Sequence, residues 1–451
     1  MTFSRRRFLG TVAIGSAAVL APPAVHGFSA TPDKLRIAAI GFGGQGNSDL
    51  NSLSSHPNFE LTAGCDVDKS FFPKLEKFGS PKIVVQDYRQ LFNDAADEFD
   101  AVMIATPDHM HCPIALIALE HDKHVYLQKP LAQDIGECRQ LAQAAAAKPE
   151  LATQMGIQIH AHTFYRTAVK WIQSGLIGTV TDVHSWSGKG WGGKQPVKQA
   201  DPVPENLDWD LYVGVSQFRN YVAGYYHRNN WRKWFAFGTG TQGDMGCHIV
   251  DPVFSALELK EPLEVTSLGP QPFADNFALD SHVVYKFKGT NFTSPELNLT
   301  WYNGSLRPKA LPGMPKTMTR EAKSGELEKV DFQLPGQGSV FVGEKGTLIL
   351  PHVGKPMVFT KQGQPMPSLP PEAPSGNHYH QWMDAAVGKA ESTGAPFDYA
   401  GPLTETVLLG TIINRWPDQK YGWNADECKF SSGRDLENAN RMLSPKYRDG
   451  W

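Results

Sequence analysis

A glycine-rich stretch at positions 41–46, Gly-Phe-Gly-Gly-Gln-Gly, follows a short apolar run and precedes residues that favour a helix. Gly41 permits a tight turn, Gly43 lets the backbone approach a pyrophosphate, and Gly46 lets the helix pack closely on the preceding strand. The helix N-terminus then supplies N–H donors and a positive partial charge. We therefore predict that Gly41, Gly43, Gly44 and Gly46 bind a dinucleotide; the alternative is that they only shape a strand-to-helix turn.

An aspartate ends the second apolar run, and Asp66 stands 20 positions after Gly46. A carboxylate at this place accepts hydrogen bonds from the ribose hydroxyls of NAD and repels the 2′-phosphate of NADP. Asp68 is near enough in the chain to share that role or to take it over. The predicted cofactor is therefore NAD, with NADP less favoured.

Two more sets of polar residues follow later apolar runs. Thr106, Pro107 and His111 come after the fourth run, and Gln128 and Lys129 come after the fifth. Open α/β sheets bind ligands at the carboxyl ends of their strands, so we expect all five residues at the cofactor site. The Lys129 ammonium would lie beside the reacting oxygen and stabilise a developing alkoxide. The alternative for Lys129 is a surface lysine before a turn proline.

An acid, an imidazole and a second acid are spaced as on one face of a helix. Asp244, His248 and Asp251 stand at i, i+4 and i+7. His248 suits removal of a hydroxyl proton, because the ordinary pKa of histidine is near 6.5. Asp244 would orient and polarise the imidazole. The alternative is a helix N-cap at Asp244 with a hydrogen-bonded core histidine at position 248.

The order of these motifs resembles the Gfo/Idh/MocA family of dehydrogenases. That family carries the glycine fingerprint, a T-P-x-x-x-H stretch, an E-K-P motif, and a D-x-x-x-H arrangement with a following aspartate. Here E-K-P is replaced by Gln128-Lys129-Pro130, so the role of the glutamate does not carry over. The likeness covers about residues 34–415. It implies that Lys129, Asp244 and His248 are catalytic, that the substrate is a carbohydrate, and that the protein is a homo-oligomer.

Nine tryptophans and tyrosines lie in the stretch that runs from Trp186 to Trp234. Flat apolar faces with polar edges suit sugar rings, although we expect more than half of these residues to be packing residues. Trp231 stands beside Arg232, which would bind a hydroxyl or a carboxylate, or pair with a core acid. The predicted substrate contacts are His162, Tyr165, Arg166, Trp231, Arg232 and Asp251.

No metal site or disulfide framework is predicted. The five cysteines are odd in number and contain no C-x-x-C pair, so buried free thiols are expected. Three His-x-His pairs occur, at 109/111, 160/162 and 378/380. A metal site needs ligands that converge from separate loops, and nothing in the sequence indicates such convergence.

The apolar runs define an α/β protein of two domains. Short runs at 35–40, 59–65, 100–105 and 124–127 alternate with amphipathic segments, which predicts a doubly wound parallel sheet, a Rossmann domain, over residues 33–157. We predict a second, α+β domain over residues 158–451 with an open, mainly antiparallel sheet. Its expected strands are 180–187, 263–268, 282–288, 294–301 and 343–350. Helices at 378–386 and 403–415 are expected to pack back across the junction.

The first 30 residues have the form of a twin-arginine signal, because Arg5, Arg6 and Arg7 precede a small-residue apolar run. The run is shorter than the roughly 20 residues of a membrane span, so no membrane insertion is expected after processing. The alternative is an uncleaved basic start. Removing three of 43 basic residues leaves 40 against 46 acidic ones, a net charge of about −6 that disfavours nucleic acid and anionic lipid as partners. The predicted location is the periplasm.

Export constrains the reaction, since a compartment outside the cytoplasmic membrane is expected to hold little free NAD. A tightly bound cofactor must then be recycled within the site. We favour an oxidoreductase that acts on CH–OH groups of sugars. The runner-up is an NAD-dependent glycoside hydrolase that works by transient oxidation, elimination and re-reduction. A carbohydrate-binding protein without turnover is a third hypothesis, supported only by Gln128.

Overall fold

The computed structural model describes residues 33–193, 199–321 and 327–451, so the predicted signal at 1–30 lies outside the described residues. Up to residue 173, strands alternate with helices. The strands are β1 (Leu35–Ile40), β2 (Phe59–Cys65), β3 (Ile83–Val85), β4 (Ala101–Ile104), β5 (His124–Gln128) and β6 (Thr153–Gly156). The helices are α1 (Gln45–Leu53), α2 (Tyr88–Asp94), α3 (His111–Glu120), α4 (Ile135–Ala146) and α5 (Thr163–Gln173).

These six strands form a parallel sheet in the order β3-β2-β1-β4-β5-β6. Strand β1 is buried except at Arg36, as the apolar sequence of its other five residues requires in a sheet that is covered on both faces. The strand order reverses between β1 and β4, and ligands bind at such a switch point beyond the carboxyl ends of the strands. The predicted Rossmann fold is therefore confirmed.

The rest of the chain builds a second sheet. Its strands are β7 (Val180–Ser187), β8 (Glu264–Ser267), β9 (Ser281–Lys288), β10 (Thr293–Asn303), β11 (Thr317–Glu321), β12 (Leu327–Asp331), β13 (Gln337–Gly343), β14 (Gly346–Pro351), β15 (Met357–Thr360), β16 (Gln419–Asn424) and β17 (Lys429–Ser432). The helices are α6 (Trp209–Val213), α7 (Gly240–Leu257), α8 (His378–Ala386), α9 (Phe397–Ile413) and α10 (Leu436–Arg441). Strands β11 and β12 pair with each other; the other nine form one sheet in the order β15-β14-β13-β7-β10-β9-β8-β16-β17.

Only the pairing of β7 with β10 is parallel among the described strands of this large sheet. The open, mainly antiparallel architecture predicted for the second domain is confirmed. The strand predicted over 343–350 corresponds to β14, but its predicted start is too early, because the chain reverses at 344–345. Strand β13 ends at Gly343 and β14 begins at Gly346, with Val342 paired to Thr347. The polar pair between the two glycines forms the turn that joins the strands.

Helix α8 belongs to the core of the Rossmann half, although it lies more than 220 residues beyond β6 in the chain. Its residues Trp382 and Met383 pack in one cluster with Ile37 and Tyr126 of the parallel sheet. The indole nitrogen of Trp382 also donates to the carbonyl of Ala152 at 3.1 Å. The C-terminal part of the chain therefore completes the N-terminal fold, as predicted for 378–386.

Helix α7 is buried along almost its whole length and packs against α5, α9 and β7. A Cβ atom on Gly246 would lie 2.9 Å from a methyl carbon of Val407 in α9, so the small residue permits close packing of these two helices. Asp244 and His248 are thereby held on a rigid element. The described part of the chain has no helix whose length and apolar character would let it span a bilayer.

Candidate functional site

A cleft of about 670 Å³ opens where the carboxyl ends of β1, β2, β4 and β5 meet helix α7. One end is lined by the glycine turn and the other by charged residues of both halves of the chain. Among the predicted residues that line it are Gly41, Gly43, Gly44, Asp66, Thr106, Pro107, Gln128, Lys129, Trp231, Arg232, Asp244 and His248. The structure thus brings together most of the residues on which the cofactor and catalytic predictions rest.

The glycine turn has the geometry of a cradle that larger side chains would fill. Gly41 has φ of +78°, and a Cβ there would lie 2.8 Å from the carbonyl carbon of Ala105. A Cβ on Gly46 would collide with the carbonyl oxygen of Gly41, whereas Gly44 faces open space. The buried hydroxyl of Thr106, on the wall of the same cleft, has no hydrogen-bond partner among the described residues. The turn and its surroundings therefore fit a dinucleotide.

Asp66, and not Asp68, presents its carboxylate to the cleft. Its oxygens accept the backbone N–H groups of Phe42 and Asp68 at 3.0 Å, which fixes the side chain beside the glycine turn. Burial raises the pKa of Asp66 to about 6. The Asp68 carboxylate bonds instead to Asn206 and to His227, whose Nε2 lies 3.0 Å away, and Asp68 does not line the cleft.

Two of the predicted cofactor residues have partners that define their roles. The ring nitrogens of His111 lie 2.8 Å from the Pro130 carbonyl and 3.0 Å from the Thr106 carbonyl, so this buried imidazole braces two site loops and does not line the cleft. Gln128 donates to the buried carboxylate of Asp49 at 2.8 Å. The acid that the E-K-P pattern places at position 128 is therefore supplied by helix α1, next to that position.

Lys129 and Asp244 form a buried ion pair across the cleft. The ammonium lies 2.7 Å from Oδ1 of Asp244 and 2.9 Å from the backbone carbonyl of the same residue. The carboxylate also accepts from the Trp191 indole at 2.8 Å, and it lies 3.2 Å from Lys189 and 3.4 Å from Arg232. Burial alone would raise the pKa of Asp244, but Lys129, Arg232 and Lys189 hold it well below its ordinary range.

His248 is buried beside this ion pair, and its Nδ1 has no hydrogen-bond partner among the described residues. Burial and the nearby Lys129 keep its pKa well below the ordinary value, so the imidazole is neutral and can accept a proton. Asp244 does not bond to it, because the carboxylate oxygens are occupied by the cations and Trp191. The helix begins at Gly240, so Asp244 is not its N-cap. The imidazole has no hydrogen-bond partner among the described residues, so His248 is not a hydrogen-bonded core histidine. Both observations disagree with the alternative given for these two residues.

A second histidine stands opposite the first. The His352 ring, one residue beyond β14, lies 5.9 Å from the His248 ring, and its Nδ1 lies 2.9 Å from the hydroxyl of Tyr165. Burial and Lys189 lower the pKa of His352 to about 4. Two neutral imidazoles therefore flank the charged end of the cleft, and Tyr165 reaches the site through one of them.

Four of the predicted substrate contacts do not line the cleft. His162 accepts the Phe164 N–H and caps helix α5. Tyr165, Arg166 and Asp251 line a separate cavity of about 620 Å³, where Asp251 lies 2.8 Å from His160. Asp251 and Asp244 lie on the same face of α7, but a spacing of seven residues separates them by about 10 Å along the helix axis. The two carboxylates therefore contact different neighbours.

The sequence did not single out several of the residues that line the charged end of the cleft. Lys189, Gln337 and His352 enter from segments at the ends of β7, β13 and β14. A polar residue next to the end of a strand could have indicated a site residue. Neighbouring strands of an antiparallel sheet end at opposite edges, however, so this pattern does not show which edge the residue lies at. Of the nine aromatic residues, most pack together in a core cluster that includes Trp209, Tyr212, Tyr221, Tyr226, Trp231 and Trp234.

The metal-ligating residue types do not gather in the described chain. No group of three or more histidine, cysteine, aspartate or glutamate side chains there has an arrangement that could hold a metal ion. The five cysteines are free thiols, four of them buried. The described site therefore offers acid–base and electrostatic chemistry from its side chains.

Two family models match the chain. One, described as the oxidoreductase family with an NAD-binding Rossmann fold, covers residues 35–155, and its companion, the C-terminal alpha/beta domain of that oxidoreductase family, covers residues 163–291. Both carry the Gfo/Idh/MocA family name. Together they span more than half of the sequence.

Curated relatives match over part of their length. A glycosyl hydrolase family 109 protein of Shewanella pealeana is 29% identical over 172 residues, which is 32% of this chain and 37% of that protein. An alpha-N-acetylgalactosaminidase of Shewanella oneidensis is 32% identical over 120 residues, 25% of this chain and 26% of that protein. The chain thus matches only 26% to 37% of the length of these relatives.

Solved structures match over most of the chain at low identity. An oxidoreductase domain protein from Kribbella flavida has a TM-score of 0.57 at 18% identity, covering 86% of this chain and 98% of its own. Levoglucosan dehydrogenase in complex with NADH has a TM-score of 0.55 at 16% identity, covering 85% and 97%. The WlbA dehydrogenase from Bordetella pertussis, in complex with NADH and UDP-GlcNAcA, has a TM-score of 0.57 at 14% identity, covering 87% and 100%. These likenesses concern the fold.

Proposed function

The chain belongs to the Gfo/Idh/MocA family of NAD-binding oxidoreductases, and from that premise we propose that it oxidises a CH–OH group of a sugar or glycoside. One observation carries the proposal. The Lys129–Asp244 ion pair and the neutral His248 share a cleft with the glycine turn. Two sugar dehydrogenases with the same fold, bound to NADH, support it.

The cofactor we propose is NAD. Gly41, Gly43 and Gly44 would hold its pyrophosphate, and Asp66 would accept hydrogen bonds from the ribose hydroxyls. A carboxylate in this position disfavours a 2′-phosphate through like-charge repulsion. When bound, the nicotinamide supplies a hydride acceptor for the alcohol carbon.

The protein must then manage the hydroxyl proton and the charge on the oxygen. His248 lines the cleft and is neutral, so its imidazole can take the proton as the carbonyl forms. The Lys129 ammonium stabilises the negative charge that develops on the oxygen. The ammonium donates one hydrogen bond to the carboxylate of Asp244 and one to the backbone carbonyl of the same residue. Asp244 thereby fixes the ammonium and acts as a positioning residue. Return of hydride to a second carbonyl reverses the same steps.

Internal recycling of the cofactor is part of this proposal. The twin-arginine pattern at Arg5, Arg6 and Arg7 supports export in the folded state, with the cofactor already bound. A tightly held cofactor must be oxidised again in the site before the next turnover. The proposed location is the periplasm.

A second candidate is net glycoside hydrolysis, and His352 is the observation that favours it. Transient oxidation of a ring carbon acidifies the neighbouring C–H bond. A second base can then remove that proton while the glycosidic substituent leaves; water adds, and re-reduction completes a hydrolysis. His352 is a neutral imidazole held by Tyr165 and facing His248. The family 109 glycosyl hydrolases among the curated relatives support this route.

Native mass spectrometry and absorbance near 340 nm test the proposal. The purified protein should carry NAD or take it up, and a panel of sugars and glycosides should contain members that reduce it. His248→Ala should lower the rate of reduction by about 100-fold or more, the usual weight of a general base, while NAD still binds. Absence of bound dinucleotide, with no uptake of NAD or NADP, would overturn the assignment.

Solvent deuterium separates the two candidate reactions. In D2O the hydrolytic route places deuterium on the ring carbon next to the oxidised one and releases the glycosidic group without net NADH. Simple oxidation leaves that carbon unlabelled. His352→Ala should abolish release of the glycosidic group and still permit the first reduction if the hydrolytic route operates.

A further inference from the structure

The charged end of the cleft holds more positive than negative charge. Lys129, Lys189 and Arg232 all lie within 3.4 Å of one carboxylate, that of Asp244. His248 and His352 stand at the same end but are neutral. One carboxylate balances one of the three cations, so roughly two positive charges remain at the site.

Another acid, Asp108, lines the cleft but does not restore the balance. Its carboxylate is buried and accepts a hydrogen bond from the Thr239 hydroxyl at 2.7 Å. Burial raises the pKa of Asp108 to about 7, so this acid is protonated in a large part of the molecules at neutral pH.

Arg232 is placed for an anionic ligand. Its guanidinium lies 4.2 Å from the centre of the Trp231 ring, and that packing fixes the plane of the group. The Nε atom makes the long contact of 3.4 Å to Asp244, and no described residue accepts a hydrogen bond from the two terminal nitrogens. Those nitrogens form a planar fork, which matches the oxygens of a carboxylate or a sulfate.

Lys189 adds a second accessible cation. Its side chain is 44% exposed and makes one contact of 3.2 Å, to the second oxygen of Asp244. The Trp191 indole donates to that same oxygen, so Trp191 fixes the carboxylate between the two cations. An ammonium has three donors, and Lys189 uses one of them on a described residue.

From this surplus of charge we infer that the substrate is an acidic sugar, one with a carboxylate or sulfate group that Arg232 and Lys189 bind. The inference rests on the proposed function and narrows its substrate class. A hydroxyl at this place would leave the terminal nitrogens of Arg232 and the remaining donors of Lys189 without an anionic acceptor. An anionic group satisfies both side chains and removes the surplus positive charge.

Matched sugar pairs test the inference with the NAD-loaded protein. The pairs are methyl glucuronide with methyl glucoside, methyl galacturonide with methyl galactoside, and glucose 6-sulfate with glucose. At least one acidic member should exceed its neutral partner about tenfold or more in kcat/KM for NAD reduction, and the pair that shows it distinguishes carboxylate from sulfate. The preference should shrink as ionic strength rises. Neutral members that equal or exceed every acidic partner overturn the inference.

Variants test whether Arg232 and Lys189 cause the preference for acidic sugars. Arg232→Gln and Lys189→Met should each reduce the ratio of acidic to neutral kcat/KM to near one, whatever happens to the absolute rates. Arg441→Gln, which removes an exposed arginine that pairs with Glu437 on helix α10, is the matched control and should leave the ratio unchanged. An unaltered ratio in both site variants also overturns the inference.

Calorimetric binding separates failure of this inference from failure of the proposed function. If no sugar reduces the cofactor, the oxidoreductase proposal fails, but the binding preference can still be measured. Acidic sugars should then bind at least tenfold more tightly than their neutral partners. Equal binding of both members of every pair contradicts the acidic-sugar inference on its own terms.

Discussion

Gln128 departs from the family pattern, and its hydrogen-bond partner explains why an amide stands in place of the glutamate. Its amide donates to Asp49, which also accepts from Gln45 and from the Tyr379 hydroxyl, both at 2.9 Å. Burial raises the pKa of Asp49 to about 6. A glutamate at position 128 would place a second, largely buried carboxylate against this one. The amide therefore keeps a single negative charge in the pocket beneath Lys129.

This pairing predicts the outcome of restoring the glutamate. Gln128→Glu should lower the free energy of unfolding at pH 8 by roughly 3 kcal/mol, because it leaves a buried charge without compensation. The loss should be smaller at pH 5, where the two carboxylates can share a proton. The double change Asp49→Asn with Gln128→Glu should recover most of the stability, since an amide again faces a carboxylate. Urea unfolding of the single and double variants measures the coupling, and additive effects would contradict the pairing.

If Asp66 accepts hydrogen bonds from the cofactor ribose as proposed, the choice of cofactor should depend on pH. Burial raises the pKa of Asp66 to about 6, so the carboxylate is ionised at pH 8 and becomes protonated as the pH falls through 6. Repulsion of a 2′-phosphate should weaken on acidification, and the ratio of NADH to NADPH affinity should fall about tenfold between pH 8 and pH 5. Fluorescence titrations measure both affinities. Asp66→Asn is the control, and any dependence of the affinity ratio on pH that persists in this variant comes from titration of the 2′-phosphate. A pH dependence as large as that of the unaltered protein would contradict the assignment of Asp66 to the ribose site.

At the scale of elements, the sequence predicted the parallel strands well, because a strand buried on both faces is a continuous apolar run. The sequence places Lys129 just after a strand, whereas the assignment of Asp244 and His248 combines their helical spacing with the resemblance to the family. The sequence did not indicate the turn at 344–345, strands β16 and β17, or the entry of His352. In those places the deciding contacts are long-range, and a polar residue beside a strand has the same local pattern at either edge of the sheet.

Helix α7 predicts a packing effect at Gly246. Alanine there would gain up to about 1 kcal/mol of helix propensity, but its Cβ would lie 2.9 Å from a branched methyl of Val407. Overpacking of this kind costs roughly 1–3 kcal/mol, so Gly246→Ala should destabilise the protein. In a Val407→Ala background the same change should become neutral or stabilising. Urea unfolding of the native protein, the two single variants and the double variant measures this effect. If Gly246→Ala destabilises the protein equally with valine and with alanine at position 407, the two helices are not in contact there.

For the whole molecule, the two halves of the chain cannot be treated as independent units. Helix α8 fills one face of the Rossmann core, and Thr404 of α9 lies 3.4 Å from the backbone nitrogen of Leu131, just beyond the Lys129 loop. The proposed catalytic residue Lys129 follows the parallel sheet, and its proposed positioning residue Asp244 lies on α7, so the two halves both contribute to the candidate site. Dinucleotide binding and the geometry of the charged end should therefore depend on the same packing.

Trp382 of helix α8 tests that dependence. Its ring is fully buried in the cluster that includes Ile37 of β1, and Trp382→Ala should cost roughly 3–5 kcal/mol of unfolding free energy. Because the change removes packing beneath the parallel sheet, it should also weaken NADH binding, although residue 382 does not line the cleft. Trp382→Phe should retain most of both properties. We expect far-ultraviolet circular dichroism and the fluorescence of bound NADH to report one shared transition in urea for the native protein and for both variants. A Rossmann half that unfolds separately, while the remainder stays folded, would show that α8 covers the sheet without coupling the two halves.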